Sequence, residues 1–473
     1  MSHAISVLLL ALSVVGAAPD LSAMPAKQAG APGLAGRWEG AVDVGGVKLP
    51  CAVVFSETTT GLTATMDIQG AKGAPLAAVS FVGKTVHFEL PSPLGAATFE
   101  GTFAGTAIAG TFVQGVTRGT FTLARPGAPP APARVPPPYR EEEVTFANGP
   151  VTLAGTLTIP EGKGPFPALV MVTGSGPQNR DEELFGFKVF GVIADYFTRR
   201  GVAVLRYDDR GMGGSTGSLA TATTADFAGD ALAGLALLAG RPEIDRAHLG
   251  VFGHSEGADV AAIAAARSPN VAFIVMMAGM ALRGDAVLRR QAEDSARALG
   301  GTDEQVTRIL AAHQQLMDAV RTNAGPDALA PALRALMQAQ IEGRSAANRQ
   351  GMGDVNAFID KALPAALAQN QNTWIRFFVG FDPATAFAHV KCPVFALFGE
   401  KDTQVRPDLN KAPLEAAFAQ GGNTRVTVKV YPEANHLFVK AVTGQVWEYP
   451  TLEKAFVPGL LDDLVAWVSS VTR

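Results

Sequence analysis

The stretch His248-Leu249-Gly250-Val251-Phe252-Gly253-His254-Ser255-Glu256-Gly257-Ala258 decides how this chain is read. An apolar run leads into Gly253-His254-Ser255-Glu256-Gly257, and an alanine-rich stretch follows as far as Arg267. Strand, tight turn with a central serine, then helix is the order in which a hydrolase presents a serine nucleophile. The glycines suit a strained turn that neighbouring backbones crowd. The helix behind the serine aims its free N–H groups and positive dipole end at the place where an oxyanion would form.

A second match, Gly213-Gly214-Ser215-Thr216-Gly217, separates on context. It follows the polar stretch Asp208-Asp209-Arg210-Gly211 and leads into residues 218–224, which carry no helical periodicity. Ser215 therefore reads as a loop residue and Ser255 as the nucleophile.

Around the elbow, residues 139–473 alternate strand-like and helix-like segments. The apolar runs 168–172, 202–205, 249–252, 273–277, 394–398 and 426–430 read as strands buried on both faces of a parallel sheet covered by helices. Residues 283–373 interrupt this rhythm with helical character and no strand. The insertion would sit over the carboxyl ends of the strands, either as a lid or as packed helical decoration.

Upstream the composition changes. Residues 34–125 are rich in Gly, Thr, Val and Phe, in short alternating segments such as Val86-His87-Phe88-Glu89-Leu90 and Ala97-Thr98-Phe99. Period-two alternation with frequent turns predicts a small antiparallel β domain or barrel. Gly36-Arg37-Trp38 resembles the G-x-W of lipocalin-like barrels, and a core tryptophan satisfies it as well as a ligand pocket does. Residues 126–138, Pro-Gly-Ala-Pro-Pro-Ala-Pro-Ala-Arg-Val-Pro-Pro-Pro, form an extended linker that cannot pack a core. Residues 5–18 are almost wholly apolar and too short to span a bilayer, and Val15-Gly16-Ala17, or else Leu21-Ser22-Ala23, offers small residues suited to cleavage. A signal peptide over residues 1–23 and export, periplasmic or secreted, are expected, although Met1-Ser2-His3 lacks the usual Lys or Arg.

Composition narrows the function classes. The 473 residues are 48% hydrophobic, enough for two or three domains with a sizeable core. The net charge of −4 is spread without a long basic block, so no nucleic-acid partner is expected. Two distant cysteines, Cys51 and Cys392, give no disulfide framework. The seven histidines show no H-E-x-x-H or similar ligand spacing, so neither a metal nor another cofactor is expected.

A serine hydroxyl needs a base, and the base needs an oriented partner. Both should follow strands after Ser255, acid first and histidine second. The run 394–398 leads into Gly399-Glu400-Lys401-Asp402, and the run 426–430 into Tyr431-Pro432-Glu433-Ala434-Asn435-His436. His436 is the one histidine in the right place. His389 precedes its strand, His313 lies in the insertion, His248 starts a strand at the wrong end, and His254, inside the elbow, is expected to point away. Asp402 is preferred over Asp382 and Asp408, which sit beside prolines at positions suited to helix capping. For the oxyanion hole, one N–H should come from Glu256 and the other from Thr173-Gly174-Ser175-Gly176-Pro177, with Ser175 first and Gly176 in reserve.

Gly174-Ser175-Gly176-Pro177-Gln178, Arg206-Tyr207-Asp208-x-Arg210-Gly211, the elbow, Gly399-x-x-Asp402 and Asn435-His436 together resemble the α/β-hydrolase superfamily. Within it they are most similar to exported bacterial carboxylesterases with a β-rich N-terminal domain. The resemblance covers residues 139–473 well and implies Ser255 as nucleophile, Asp402 and His436 as its partners, and a small-molecule ester as substrate. Thr173 departs from it, standing where many members have histidine. A serine peptidase, a thioesterase or acyltransferase of the same fold, and an inert binding domain are the alternatives. Phe185, Phe187, Trp374, Phe377 and Phe378 are candidates for an acyl pocket or for ordinary core.

Overall fold

The computed structural model describes residues 33–44, 47–58, 61–68, 71–90, 97–114, 117–125, 137–343 and 354–473. The expected signal peptide and most of the linker lie outside them. The described residues fall into two compact units, divided at residues 136 and 137.

The N-terminal unit is a nine-stranded antiparallel sheet running from Gly36–Val44 to Thr117–Ala124. Its first and ninth strands pair antiparallel, while Ala71–Pro75 and Ala77–Val82 lie at opposite ends of the strand order. Only Leu76 separates those two strands. The sheet must therefore curl until its ends nearly meet, giving a near-barrel. The alternation seen in sequence sends one face inward, where Trp38, Phe55, Phe88, Phe99, Phe112 and Phe121 are buried together. Phe88 and Phe99 stack at 4.8 Å between ring centroids, and Phe99 and Phe112 at 5.5 Å. Trp38 is fully buried and donates from Nε1 to the Leu34 carbonyl at 2.8 Å, so here it plugs the core.

The second unit is an eight-stranded sheet: β1 Arg140–Asn148, β2 Val151–Ile159, β3 Phe166–Val172, β4 Ala203–Tyr207, β5 Ile244–His254, β6 Phe273–Met277, β7 Val394–Gly399 and β8 Val426–Tyr431. Their order is β1-β2-β4-β3-β5-β6-β7-β8. Strand β2 runs antiparallel to both its neighbours, and β4-β3-β5-β6-β7-β8 are parallel throughout. Strands β4, β6 and β7 are buried at every position, as their unbroken apolar sequences require. Strand β8 departs from that reading. It lies at the sheet edge, where its Val-Thr-Val-Lys-Val alternation leaves only every second residue facing protein.

Helices cover both faces of the sheet. On one side Val170, Leu205, Val251, Ile274 and Phe398 pack with α2 (Thr224–Ala239) and α3 (Glu256–Arg267). On the other, Leu169, Met171, Phe252, Val275 and Leu397 pack with α1 (Val189–Thr198) and the last helix of the chain, Leu460–Val471.

The insertion after β6 is helical as expected, with α4 Gly284–Ala298, α5 Asp303–Arg321, α6 Pro326–Glu342, α7 Val355–Asn370 and α8 Thr373–Gly380. Its end lies beyond residue 373. Asn372 accepts the Ile375 N–H at 2.8 Å and so starts a helix at the place expected to end the insertion. Val306, Leu316, Leu336, Trp374 and Phe378 of these helices join the same core cluster as the sheet. No described helix is long and apolar enough to cross a membrane.

Candidate active site

Strand β5 ends at His254 and α3 begins at Glu256, leaving Ser255 at the turn with φ 55° and ψ −122°. That left-handed conformation is strained for a residue with a Cβ and lifts the side chain off the end of the sheet. A Cβ on Gly253 would lie 1.8 Å from the Gly257 carbonyl oxygen, and one on Gly257 would lie 2.1 Å from that of Val172. Both glycines are therefore forced by backbone contact. The Ser255 N–H is held by the Met277 carbonyl at 2.8 Å. Ser255 is half-buried while its neighbours on both sides are fully buried, so the serine is the opening in an otherwise closed surface.

Asp402 and His436 meet, although 34 residues separate them. Asp402 Oδ1 accepts the backbone N–H groups of Gln404 at 2.8 Å and Val405 at 2.9 Å, and Oδ2 lies 2.7 Å from His436 Nδ1. A carboxylate accepting three donors is fixed in place, and accepting from Nδ1–H leaves the lone pair of the neutral ring on Nε2. Asn435 shapes the turn beneath, its Oδ1 accepting the N–H groups of Leu437 and Val439 at 3.0 and 3.2 Å. The His436 ring lies 4.8 Å, centroid to centroid, from that of His254, the residue preceding Ser255. Among the described residues there is no direct hydrogen bond between Ser255 Oγ and His436. In substrate-free hydrolases this contact is commonly long and tightens when substrate binds.

The two residues expected to form an oxyanion hole lie against each other. The Ser175 hydroxyl lies close enough to the Glu256 carboxylate to pull its pKa down, and among the described residues no acceptor takes the backbone N–H of either. The loop is pinned from behind by Asp209, which accepts Thr173 Oγ1 at 2.7 Å and the Gln178 N–H at 2.8 Å. Burial pushes the Asp209 carboxyl well above the usual carboxylate range despite those two bonds. Thr173, out of place against the family pattern, thus serves to fix the loop. Gly176, with φ 106°, makes the turn that follows.

Two features escape a reading of the sequence. His254 does not point away: it packs against the His436 ring and bonds Glu182, whose carboxylate is fully buried. Glu256 is also buried, its Oε1 receiving Thr224 Oγ1 at 2.7 Å and Trp374 Nε1 at 2.8 Å. Burial raises its pKa, against the pull of the Thr224, Trp374 and Ser175 hydrogen bonds. Trp374 therefore ties helix α8 of the insertion to the residue next to the serine. Replacing it with Phe keeps the ring and removes a donor to a buried carboxylate, and should lower unfolding stability in urea by about 1–3 kcal/mol. No residue spacing signals either contact, because both join elements far apart in the chain.

The remaining candidates sort by their partners. Trp374 and Phe378 stack at 4.9 Å within the core, Phe377 stacks on Phe381 at 5.4 Å, and buried Phe187 meets Phe456 edge-on at 4.9 Å. Phe185 is partly exposed and edge-on to Tyr449. Asp382 and Asp408 occupy capping and ion-pair positions: Asp382 accepts the Ala384 N–H, and Asp408 pairs with Arg406. Ser215 is buried, donating to the Asp208 carbonyl at 2.7 Å and accepting the Ala154 N–H at 2.9 Å. Ser215→Ala should keep most of the turnover per folded molecule while lowering stability by about 1–3 kcal/mol, read as a shift in the melting midpoint.

Residues 148–412, more than half of the chain, match the X-Pro dipeptidyl-peptidase (S15) family. That segment includes Ser255 and Asp402, and His436 follows it. Esterase EstD of Thermotoga maritima is 35% identical over 151 residues, amounting to 32% of this chain and 34% of the esterase. The chain thus spans roughly a third of that relative's length. Among solved structures, a Pyrococcus furiosus esterase covers 62% of this chain and 83% of its own, with 15% identity and a TM-score of 0.40. A 2,6-dihydroxy-pseudo-oxynicotine hydrolase covers 71% and 68%, with 17% identity and a TM-score of 0.37.

Proposed function

Because the chain belongs to the X-Pro dipeptidyl-peptidase (S15) family of the α/β-hydrolase superfamily, we propose that it is a serine hydrolase, with carboxylic esters as substrates. The observation that carries this reading is the Asp402–His436 pair at 2.7 Å beside the Ser255 elbow.

In the proposed reaction Ser255 Oγ attacks the ester carbonyl carbon as its proton passes to His436 Nε2. Asp402 stabilises the resulting imidazolium through Nδ1–H. The carbonyl oxygen, now an oxyanion, is met by the N–H groups of Glu256 and Ser175, with Gly176 as the alternative to Ser175. His436 returns the proton to the leaving alcohol, and an acyl group remains on Ser255. Water then attacks with His436 again as base, releasing the acid and restoring the serine.

The family description favours a second reading, cleavage of amide bonds after a proline. Removing dipeptides from a chain end requires recognition of a terminal ammonium, for which a carboxylate near the serine is the natural partner. Of the carboxylates around the elbow, Glu256 and Glu182 are buried and bonded within the protein, and Asp259 is fully buried in α3. This favours the ester. A chain-length series of p-nitrophenyl esters measured beside X-Pro p-nitroanilides tests the choice. The proposal expects a higher kcat/KM on an ester, and faster turnover of an X-Pro anilide would reverse it. Export of the chain through its N-terminal segment is also proposed, resting on the apolar run 5–18.

A further inference from the structure

We infer that Glu182 and His254 are positioning residues, a second buried carboxylate–imidazole pair that holds the elbow, the oxyanion loop and the backbone of His436 together. The inference rests on the reading of Ser255 as nucleophile and His436 as base. His254 Nδ1 lies 2.8 Å from Glu182 Oε1, and His254 Nε2 lies 2.9 Å from the carbonyl oxygen of His436. The same Glu182 Oε1 accepts the Gly174 N–H at 2.9 Å. Three segments that must converge for acyl transfer are thus joined through one ring and one carboxylate oxygen.

Counting donors limits what the pair can be. A carbonyl oxygen only accepts, so Nε2 of His254 carries a proton. A second proton must lie between Nδ1 and Oε1 for that contact to be a hydrogen bond. On Nδ1 that proton makes the pair an imidazolium with a carboxylate, and on Oε1 a neutral ring with a carboxylic acid; either form holds one more proton than a neutral ring beside a carboxylate would. Burial opposes the charged ring, yet the charge and hydrogen bond of Glu182 outweigh it and the His254 pKa is raised. The pair is neutral as a whole, so it can sit beside His436 without adding a net charge.

Neither partner has a simple substitute. With glutamine at 182, an oxygen at the Oε1 position would keep Gly174 but leave an imidazolium without a counter-charge. A nitrogen there would satisfy a neutral Nδ1 but face the Gly174 N–H donor to donor. The loop has no slack to absorb the conflict, since a Cβ on Gly174 would lie 3.1 Å from Ser255 Cβ. Glu182 itself holds φ 46°, a left-handed conformation unusual for a residue with a Cβ, which marks a side chain directed by its surroundings.

The test uses the whole 473-residue chain labelled with 15N-histidine. Proton–nitrogen NMR of the wild type at neutral pH should show two nitrogen-bound protons on His254. Its signals are identified by substituting the other histidines singly, so no His254 variant needs to fold. Glu182→Gln should leave one nitrogen-bound proton on His254 in place of two and lower kcat by about 10–100-fold, with KM within about twofold. Here kcat is counted per site titrated by a fluorophosphonate, so a loss of folded protein does not enter. A single nitrogen-bound proton on wild-type His254, or a Glu182→Gln enzyme with wild-type kcat per site, overturns the inference. If Glu182→Gln does not fold, the proton count on the wild type decides. Undiminished labelling of Ser255→Ala would instead overturn the reading of Ser255, a result separate from both.

Discussion

Replacing Ser255 with alanine should lower kcat for p-nitrophenyl acetate by about 10⁶-fold, the scale of loss when a hydrolase nucleophile is removed. The protein should remain folded. Among the described residues the Ser255 hydroxyl holds no structural hydrogen bond, while its backbone N–H, bonded to Met277, is unaffected by the change. No neighbour can take over the attack. Ser215 is committed to the Asp208 carbonyl and the Ala154 N–H, and the Ser175 hydroxyl faces the Glu256 carboxylate. Steady-state hydrolysis, with circular dichroism to confirm folding, measures the loss. His436→Ala should show a loss of similar size, because the two act as a unit. A Ser255→Ala enzyme retaining a tenth of the activity would refute the assignment.

Asp402→Asn should cost about 10⁴-fold in kcat with little change in KM. The reason lies in how the carboxylate is used. Oδ1 accepts two backbone N–H groups, from Gln404 and Val405, so the amide oxygen of an asparagine must take that position. The amide nitrogen then faces His436 Nδ1 and donates to it. This forces the ring proton onto Nε2, the atom that has to receive the serine proton. The shape of the site is retained and the base is lost. An Asp402→Asn variant within tenfold of wild type would mean that another acid orients His436.

How much of this could be read in advance follows from how local each signal is. The elbow was legible because strand, turn and helix follow one another directly in the chain, and Gly253 answers to a clash with Gly257 four residues on. Asp402 and His436 were legible because strands β7 and β8 deliver the turns that follow them to the same edge of the sheet. The hydrolase sheet followed from unbroken apolar runs, with β8 misjudged because an edge strand needs only one buried face. The end of the insertion was placed too early, because the helix that Asn372 caps continues its helical character to Gly380. His254 was assigned by its neighbour's role and sent the wrong way. Its partner Glu182 lies 72 residues away in an irregular loop with no periodic signal, so only the folded backbone brings the two together. The Trp374–Glu256 contact spans 118 residues and is hidden for the same reason.

The central claim is that Ser255 is activated by His436 and Asp402 and forms the covalent intermediate. The most direct measurement treats the native protein with a fluorophosphonate and locates the adduct by tandem mass spectrometry of the digested chain. The account predicts one phosphonyl group, on Ser255, forming far more slowly in His436→Ala and Asp402→Asn. An adduct on Ser215, or none on the folded protein, would contradict it.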